Sequence, residues 1–512
     1  MGNGIPLVRI GCGQGGIFLR RKLPIFYSAL LLTGVNLLLR LVSTSFQVHI
    51  SARIGAAGVG LLQLVMSVGS LAMTAGMAGV RTAAMYLTAE ELGRKRPQNV
   101  TWVLSGCFLY SILCSGTVAA ILYTAAPFLS SSWIGDPQTV GAIRLFALFL
   151  PLVCLSGCMV GYFTAANRIG TLAVVEIGEQ LCYMVVTMAV LIFWAGTDPG
   201  RSCEAVVLGS GISTCLTLTC LVVLRLREKP STGPRTPVAA RLLRTAVPLA
   251  LADDLKSGIS TTENLMVPKR LALYPGELTP LATFGTVCGM VFPVLMFPAA
   301  ILFALAELLI PELARCNAAG SQRRIRYLVK RGLRVALLYG CLCGGIMHLV
   351  SEDLCMALYS SSLAGEHLCR YSILVPMLYC DALTDAMTKG LGQQAACVRY
   401  NIITSAMDVA LLFVLLPRFG MTGYFVSFAV THAVNFLLSL RRLLKITGIR
   451  IPFYIPGFTC GATLLAALGA SLMPGAAGRV VAFVGLLGSL WTLFRVVSKS
   501  DLKWLKGLVA RK

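Results

Sequence analysis

Charged residues are scarce in this 512-residue chain, 13% of the total against about 25% in an ordinary soluble protein. That leaves too little polar surface to cover a water-exposed globule. With 56% hydrophobic residues, intrinsic disorder is excluded as well. Enzyme signatures are missing: there is no P-loop, HExxH, GxSxG or paired histidine cluster, and so no sign of built-in ATP hydrolysis or a catalytic residue. The 18 cysteines include no CxxC pair and no Cys/His metal spacing, so neither a metal nor a cofactor is expected. Most lie in apolar runs, where cysteine acts as a small hydrophobe. Cys355 and Cys369 share one expected outer loop, which leaves a disulfide between them open. No signal peptide with a small-residue cleavage site is expected, because the first apolar segment is long enough to stay as a span.

What the chain has is long apolar runs and a mean hydropathy of +0.79. The runs approach 20 residues, the length that crosses a bilayer as a helix, and do not alternate as barrel strands of about 10 residues do. The expected fold class is an all-α polytopic membrane protein. Fourteen segments fit a span, near 23–47, 59–86, 101–124, 140–165, 171–194, 205–225, 241–264, 281–308, 332–350, 369–391, 400–416, 421–440, 455–473 and 479–497. A net charge of +23 would suggest nucleic acid in a soluble protein. Here the basic residues cluster in short loops instead, so no nucleic-acid partner is expected. With the N-terminus inside, 33 Lys and Arg fall in inner segments, seven in outer loops and four within spans. The positive-inside rule thus puts both termini in the cytoplasm and requires an even number of spans. The basic stretch from Arg315 to Arg334 reads as topology signal and anionic-lipid contact, with regulatory docking as the alternative.

An internal repeat is visible. Arg40 and Arg53, thirteen residues apart, precede a Gly-rich entry at Gly55, Gly58 and Gly60. Lys256 and Lys269, with the same spacing, precede an entry at Gly276 and Gly285. Glu91-Leu92 and Glu312-Leu313 then close the corresponding spans before basic loops. Both repeats start at the inner face and are therefore parallel, the plan of a transporter whose halves rock about a central path. The expected organisation is a cytoplasmic segment 1–22, a six-helix lobe 23–225, a linker 226–240 with Pro230, Pro234 and Pro237, a six-helix lobe 241–440, two further helices at 455–497 and a basic tail 498–512.

Ionisable residues within spans mark candidate function, since each costs about 2.5–3.5 kcal/mol at a helix centre. Arg40 lies 16 residues past Pro24, about 24 Å along a helix, and either snorkels outward or faces a cavity. Asp253, Asp254, Lys256 and Glu263 share the seventh segment and cannot all face lipid. That segment is expected to line a polar cavity, bent or broken near Pro248, with Asp253 and Lys256 placed to pair; the alternative puts part of it in the interface. Asp381, Asp385 and Lys389 form one helical stripe. Asp381 and Asp408 are either functional or bonded helix to helix through Ser, Thr or Asn. Glu176 and Glu179 read as helix N-terminal carboxylates. Arg81 and Arg144 read as span-end residues, and His432 and Asn435 as polar packing. Pro293, Pro298 and Pro311 mark the eighth segment as irregular.

The stretch from Leu39 to Glu91, which carries RLVSTSFQVHISARIGAAGVG, resembles the stage V sporulation protein B family, as does the six-plus-six-plus-two layout. That family belongs to the multidrug/oligosaccharidyl-lipid/polysaccharide exporter superfamily. The resemblance covers nearly the whole chain. It implies two lobes around a central cavity, and a role in moving a lipid-linked peptidoglycan or polysaccharide precursor across the membrane for spore cortex. It also implies basic cavity residues suited to a diphosphate, for which Arg40, Arg53 and Lys256 are the candidates by location. Asp253, Asp254, Asp381, Asp385 and Asp408 are the candidate cavity or coupling carboxylates, with a coupling ion as partner beside membrane lipids. Two other readings stay open. One is a cation-coupled small-molecule exporter of the same fold, and the other a scaffold that recruits cortex-synthesis enzymes.

Overall fold

The computed structural model describes residues 25–94, 96–166, 168–195, 198–227, 239–449 and 454–493. The N-terminal segment 1–22, Pro24, the linker prolines and the basic tail lie outside the described residues. Each of the fourteen expected segments contains helix among its described residues. In order these are α1 (Ile25–Met77), α2 (Val80–Gly93), α3 (Val100–Phe128), α4 (Val140–Ala165), α5 (Ile169–Val190), α6 (Pro199–Leu226), α7 (Ala239–Leu271), α8 (Pro280–Gly285), α9 (Phe292–Met296), α10 (Ala299–Ala318), α11 (Gln322–Tyr359), α12 (Ser362–Ser372), α13 (Val375–Gly390), α14 (Gln394–Thr447), α15 (Tyr454–Ser471) and α16 (Ala476–Leu493). Local chemistry sets several starts. Asp198 accepts from the Gly200 N–H at 2.9 Å and is followed by Pro199 at the first helical position, while Ser361 caps α12 through the Ala364 N–H at 3.2 Å.

Eight helical stretches among the described residues are long and apolar enough to cross a membrane, nine if the pair Pro280–Met296 and Ala299–Ala318 is one span. Two of the eight are double length, Leu37–Leu92 with 56 residues and Gln394–Thr447 with 54. Each would run about 80 Å if straight, more than twice a bilayer core of about 30 Å. Both are interrupted at a glycine outside helical geometry, Gly55 (φ 79°) and Gly420 (φ 56°). The irregular eighth segment is present. A π-helical stretch, Thr286–Val291, follows α8, and α9 and α10 meet at 61° around Phe297 and Pro298.

Some expectations are corrected. The seventh segment is not broken at residue 248: α7 is one continuous helix of 33 residues. A proline forfeits one backbone bond and crowds the carbonyl four residues back, which can kink a helix without ending it. Cys355 and Cys369 do not share a loop, because α11 runs on to Tyr359 and α12 starts at Ser362. Both thiols are free, and Cys369 Sγ instead lies 3.4 Å from His348 Nδ1. Glu176 and Glu179 are not at a helix start. Helix α5 begins at Ile169, and Glu179 Oε1 accepts from Thr214 Oγ1 of α6 at 3.3 Å.

Within each half, neighbouring helices pack together, α2–α6 in the first and α10–α14 in the second, with α15 and α16 laid against α11. The halves meet where α1 and α2 face α7 and α8. The approach there is close. A Cβ on Gly285 would lie 2.0 Å from the Ala56 carbonyl oxygen and 2.5 Å from the Gly60 nitrogen, so no side chain fits. Ser51 Oγ donates to the Gly289 carbonyl at 2.9 Å, and Thr261 and Asn264 of α7 donate to Ser67, each at 3.0 Å.

Candidate functional site

A cavity of about 420 Å³ opens between the second part of α1, the start of α2 and the middle of α7. From α7 it is lined by Asp253, Lys256, Ser257 and Ser260, spaced i, i+3, i+4, i+7 and so on one helical face. The first half supplies Ser70, Met73, Thr74, Met77, Gly79, Arg81 and Thr82. Here Ser70, Thr74, Met77 and Arg81 recur at helical spacing across the left-handed step at Ala78 and Gly79 (φ 42° and 71°). The wall therefore carries five hydroxyls, two methionines, two cations and one carboxylate. Lys256 and Asp253 share it without the ion pair their spacing allowed; among the described residues no ion pair within 4 Å is made by Lys256 or Arg81, although Glu176 of α5 lies within electrostatic range of Arg81. Ser257 Oγ is buried with no protein hydrogen-bond partner. Two cations from opposite halves, neither in a close ion pair and both ringed by hydroxyls, suit an anionic, hydroxyl-rich guest.

Other expected residues fall elsewhere. The Arg40 guanidinium stacks over the Phe303 ring of α10, 4.6 Å from its centroid, and Arg53 is exposed beside the Gly55 kink. Neither is among the residues lining this cavity. Asp254 lies beside Asp253 but is not in the wall, and its Oδ1 is buried without a hydrogen-bond partner. Asp381 accepts two bonds from Asn435 Nδ2, at 3.1 and 3.2 Å, the helix-to-helix alternative. Asp385 pairs with Lys389 at 2.6 Å along its own helix. His432 meets the Phe428 carbonyl at 3.0 Å.

Asp408 is different. It is 8% exposed, and its Oδ1 accepts from Ser427 Oγ at 2.5 Å and Thr431 Oγ1 at 3.3 Å across the Gly420 kink. Glu263, two turns beyond Lys256 on α7, brings a second carboxyl group against it. Two carboxyl groups and two hydroxyls converge there, a donor set for a hard monovalent cation or a proton.

From the sequence Arg81 reads as a span-end cation, although its helical spacing from Ser70 and Thr74 places it on a polar stripe. Glu263 reads as out of place in a span, but its partner lies 145 residues away and carries no local signal.

Solved structures share this architecture. Lipid II flippase MurJ, in an inward closed conformation, aligns with a TM-score of 0.67 at 10% identity over 91% of this chain and 98% of its own. An inward-facing multidrug resistance transporter of the MATE family aligns with a TM-score of 0.65 at 14% identity over 83% of this chain and 100% of its own. The fold thus defines the class, a multi-pass, all-helical membrane protein of the MATE and MurJ type. A model of the polysaccharide biosynthesis protein family matches residues 54–338, and the chain belongs to that family. Stage V sporulation protein B of Bacillus subtilis (strain 168) is 22% identical over 503 residues, 93% of this chain and 96% of that protein. A probable multidrug resistance protein NorM of Rhizobium meliloti (strain 1021) is 26% identical over 189 residues, 36% of this chain and 37% of its own. Along nearly its whole length the chain is similar to stage V sporulation protein B, and it shares the fold of these solved structures.

Proposed function

We propose that this protein is a flippase. It moves a lipid-linked, diphosphate-bearing peptidoglycan or polysaccharide precursor across the cytoplasmic membrane by alternating access, in the service of spore cortex synthesis. The cavity carries the reading: Arg81 from one half and Lys256 from the other face one hydroxyl-lined space without ion-pair partners among the described residues. A sugar-diphosphate head group is too polar to enter hydrocarbon. In such a cavity its phosphates meet a guanidinium and an ammonium, its sugar hydroxyls meet Ser and Thr, and its polyprenyl tail stays in lipid. Asp253 disfavours the same anion, so the head group is held away from that carboxylate or meets it in one state only. Similarity to stage V sporulation protein B and to the lipid II flippase supports this cargo class.

The reading includes the membrane arrangement. Helices α1 and α14 each fold back at their glycine kinks to give two spans, for fourteen in all. The lobes 23–225 and 241–440 are parallel repeats, the linker 226–240 is cytoplasmic, and both termini face the cytoplasm as the 33 inner cations require. Arg40 and Arg53 extend the basic path beyond the cavity. Asp408 with Glu263 forms the coupling-ion site, which leaves Asp381 and Asp385 with structural bonds. A cation-coupled drug exporter would need Asp381 exposed to the cargo path, and its hydrogen bonds to Asn435 oppose that.

The test is the pool of undecaprenyl-linked precursor in sporulating cells with and without the gene, read beside cortex muropeptides. Accumulated precursor with missing cortex supports flipping. Normal precursor with missing cortex assigns a scaffold role instead, and an unaffected cortex overturns the proposal in favour of the exporter.

A further inference from the structure

We propose that α7 is a rocker latched to the first half at both ends, and that its Arg241 latch closes the cytoplasmic mouth and breaks once per transport cycle. The proposal rests on the orientation given above, but not on the identity of the cargo.

At one end, Arg241 Nη1 donates to Glu91 Oε1 at 2.7 Å and Nη2 donates to Glu90 Oε2 at 2.5 Å. The remaining carboxylate oxygens are also engaged, Glu90 Oε1 by Arg94 at 2.6 Å and Glu91 Oε2 by Asn99 Nδ2 at 3.0 Å. Glu91 is 1% exposed. This is a fork-shaped cation filled by two carboxylates of the other half, the strong form of a charged hydrogen bond. Just beyond it Leu242 and Ala246 of α7 pack with Val80, Ala84 and Leu87 of α2. Gly79 sits so close that a Cβ there would lie 2.5 Å from the Ala246 carbonyl oxygen. Together these contacts seal the cavity toward the Arg241 end.

At the other end Lys269 Nζ donates to the Ser132 carbonyl, in the π-helical turn Leu129–Ile134 of the first half. Arg241 and Lys269 lie 28 residues apart on one unbroken helix, about 42 Å by helix rise, so α7 carries a first-half contact at each membrane face. The two contacts are unequal. Arg241 meets two carboxylates, one of them fully buried, whereas Lys269 meets one neutral carbonyl at an exposed site. Thr261 and Asn264 also hold α7 to Ser67 between these ends, so it is the charge of the Arg241 fork that makes the cytoplasmic end the stronger grip and leaves the resting molecule closed there. Opening that mouth separates Arg241 from Glu90 and Glu91 and lets water reach Glu91, the one member of the three that is buried.

The experiment is amide hydrogen exchange by mass spectrometry on the full chain in lipid nanodiscs, without cargo. It compares the wild type with Glu91→Gln, Arg241→Gln and the charge swap Glu91→Arg with Arg241→Glu. The single variants are expected to exchange at least about tenfold faster over residues 80–93 and 239–246. Residues 129–134 and 267–271 are expected to slow in the same samples, because freeing one mouth populates the state in which the other is shut. The swap restores one of the two ion pairs and leaves Glu90 facing a carboxylate, so it returns exchange part of the way toward wild type at both ends. Faster exchange at the Arg241 end without slowing at the Lys269 end makes the contact a local brace and overturns the proposal, as does no change. A reciprocal response in a protein that fails to flip the lipid-linked precursor keeps the latch and discards the cargo assignment.

Discussion

Replacing Gly79 by alanine separates a backbone cost from a packing cost. Gly79 holds φ 71°, a left-handed conformation that costs a side-chain-bearing residue about 1–2 kcal/mol. Its Cβ would also stand 2.5 Å from the Ala246 carbonyl oxygen and 3.2 Å from the Ala246 Cα and carbonyl carbon. Those are backbone atoms of α7 and cannot turn aside as a side chain does. Overpacking of this kind costs about 1–3 kcal/mol. The backbone cost is common to every state that keeps the turn, whereas the clash exists only while α7 is seated on α2. At about 1.4 kcal/mol per tenfold, Gly79→Ala should lower the seated population relative to the open one by about 5- to 150-fold. Gly448 supplies the matched control, left-handed at φ 64° and ψ 24° with nothing within 4 Å of an added Cβ. Both variants should lose thermal stability, Gly79→Ala by more because of its added clash, and Gly79→Ala alone should speed amide exchange over residues 239–246. Equal exchange in the two variants would refute the claim that α7 seats tightly against the Gly79 turn.

Three further outcomes follow from particular contacts. Asp408→Asn keeps acceptors for Ser427 and Thr431 and removes one of two facing carboxyl groups, so the protein should fold normally and lose the dependence of transport on its coupling ion. A transport assay across a sodium and proton series checks this, and an unchanged ion dependence counts against the site. Asp381→Asn should cost about 1 kcal/mol in stability as a half-buried, hydrogen-bonded group is altered, yet leave transport per folded molecule near wild type; a tenfold loss would favour the carboxylate-driven exporter. Cys355 and Cys369 are free thiols, so intact-mass measurement after alkylation of purified protein without reductant should find both modified under denaturing conditions.

Much of this was legible before any coordinates. The fourteen apolar segments each hold helix because hydrocarbon forces every backbone group to bond within its own segment. The four charges of the seventh segment marked α7 as polar, and it does line the cavity through Asp253 and Lys256. Other features depend on distance in sequence. Nothing near Glu91 announces Arg241, 150 residues on, and the repeat that flagged Glu91 paired it with Glu312. The second-half match forms its ion pair locally, with Arg324 at 2.6 Å, whereas the first-half acids reach across to the other half. Arg40 shows the limit of counting along a helix. Its depth of about 24 Å suited either a cavity or the interface, and the Phe303 ring that holds it belongs to the opposite half. Cys355 and Cys369 shared an expected loop only because apolar runs end before helices do, and α11 continues a further nine residues beyond its apolar stretch.

The central claim is that two cations from opposite halves carry a lipid diphosphate through the membrane. Its most direct test is leaflet-to-leaflet transfer of an undecaprenyl-diphosphate-linked precursor in liposomes holding purified protein, compared with the Arg81→Ala, Lys256→Ala double variant. Each lost charge-assisted contact is worth about 1.5–3 kcal/mol, so the double variant should transfer the precursor at least about a hundredfold more slowly while remaining folded and correctly inserted. Transfer by the wild type that survives removal of both cations would contradict the account.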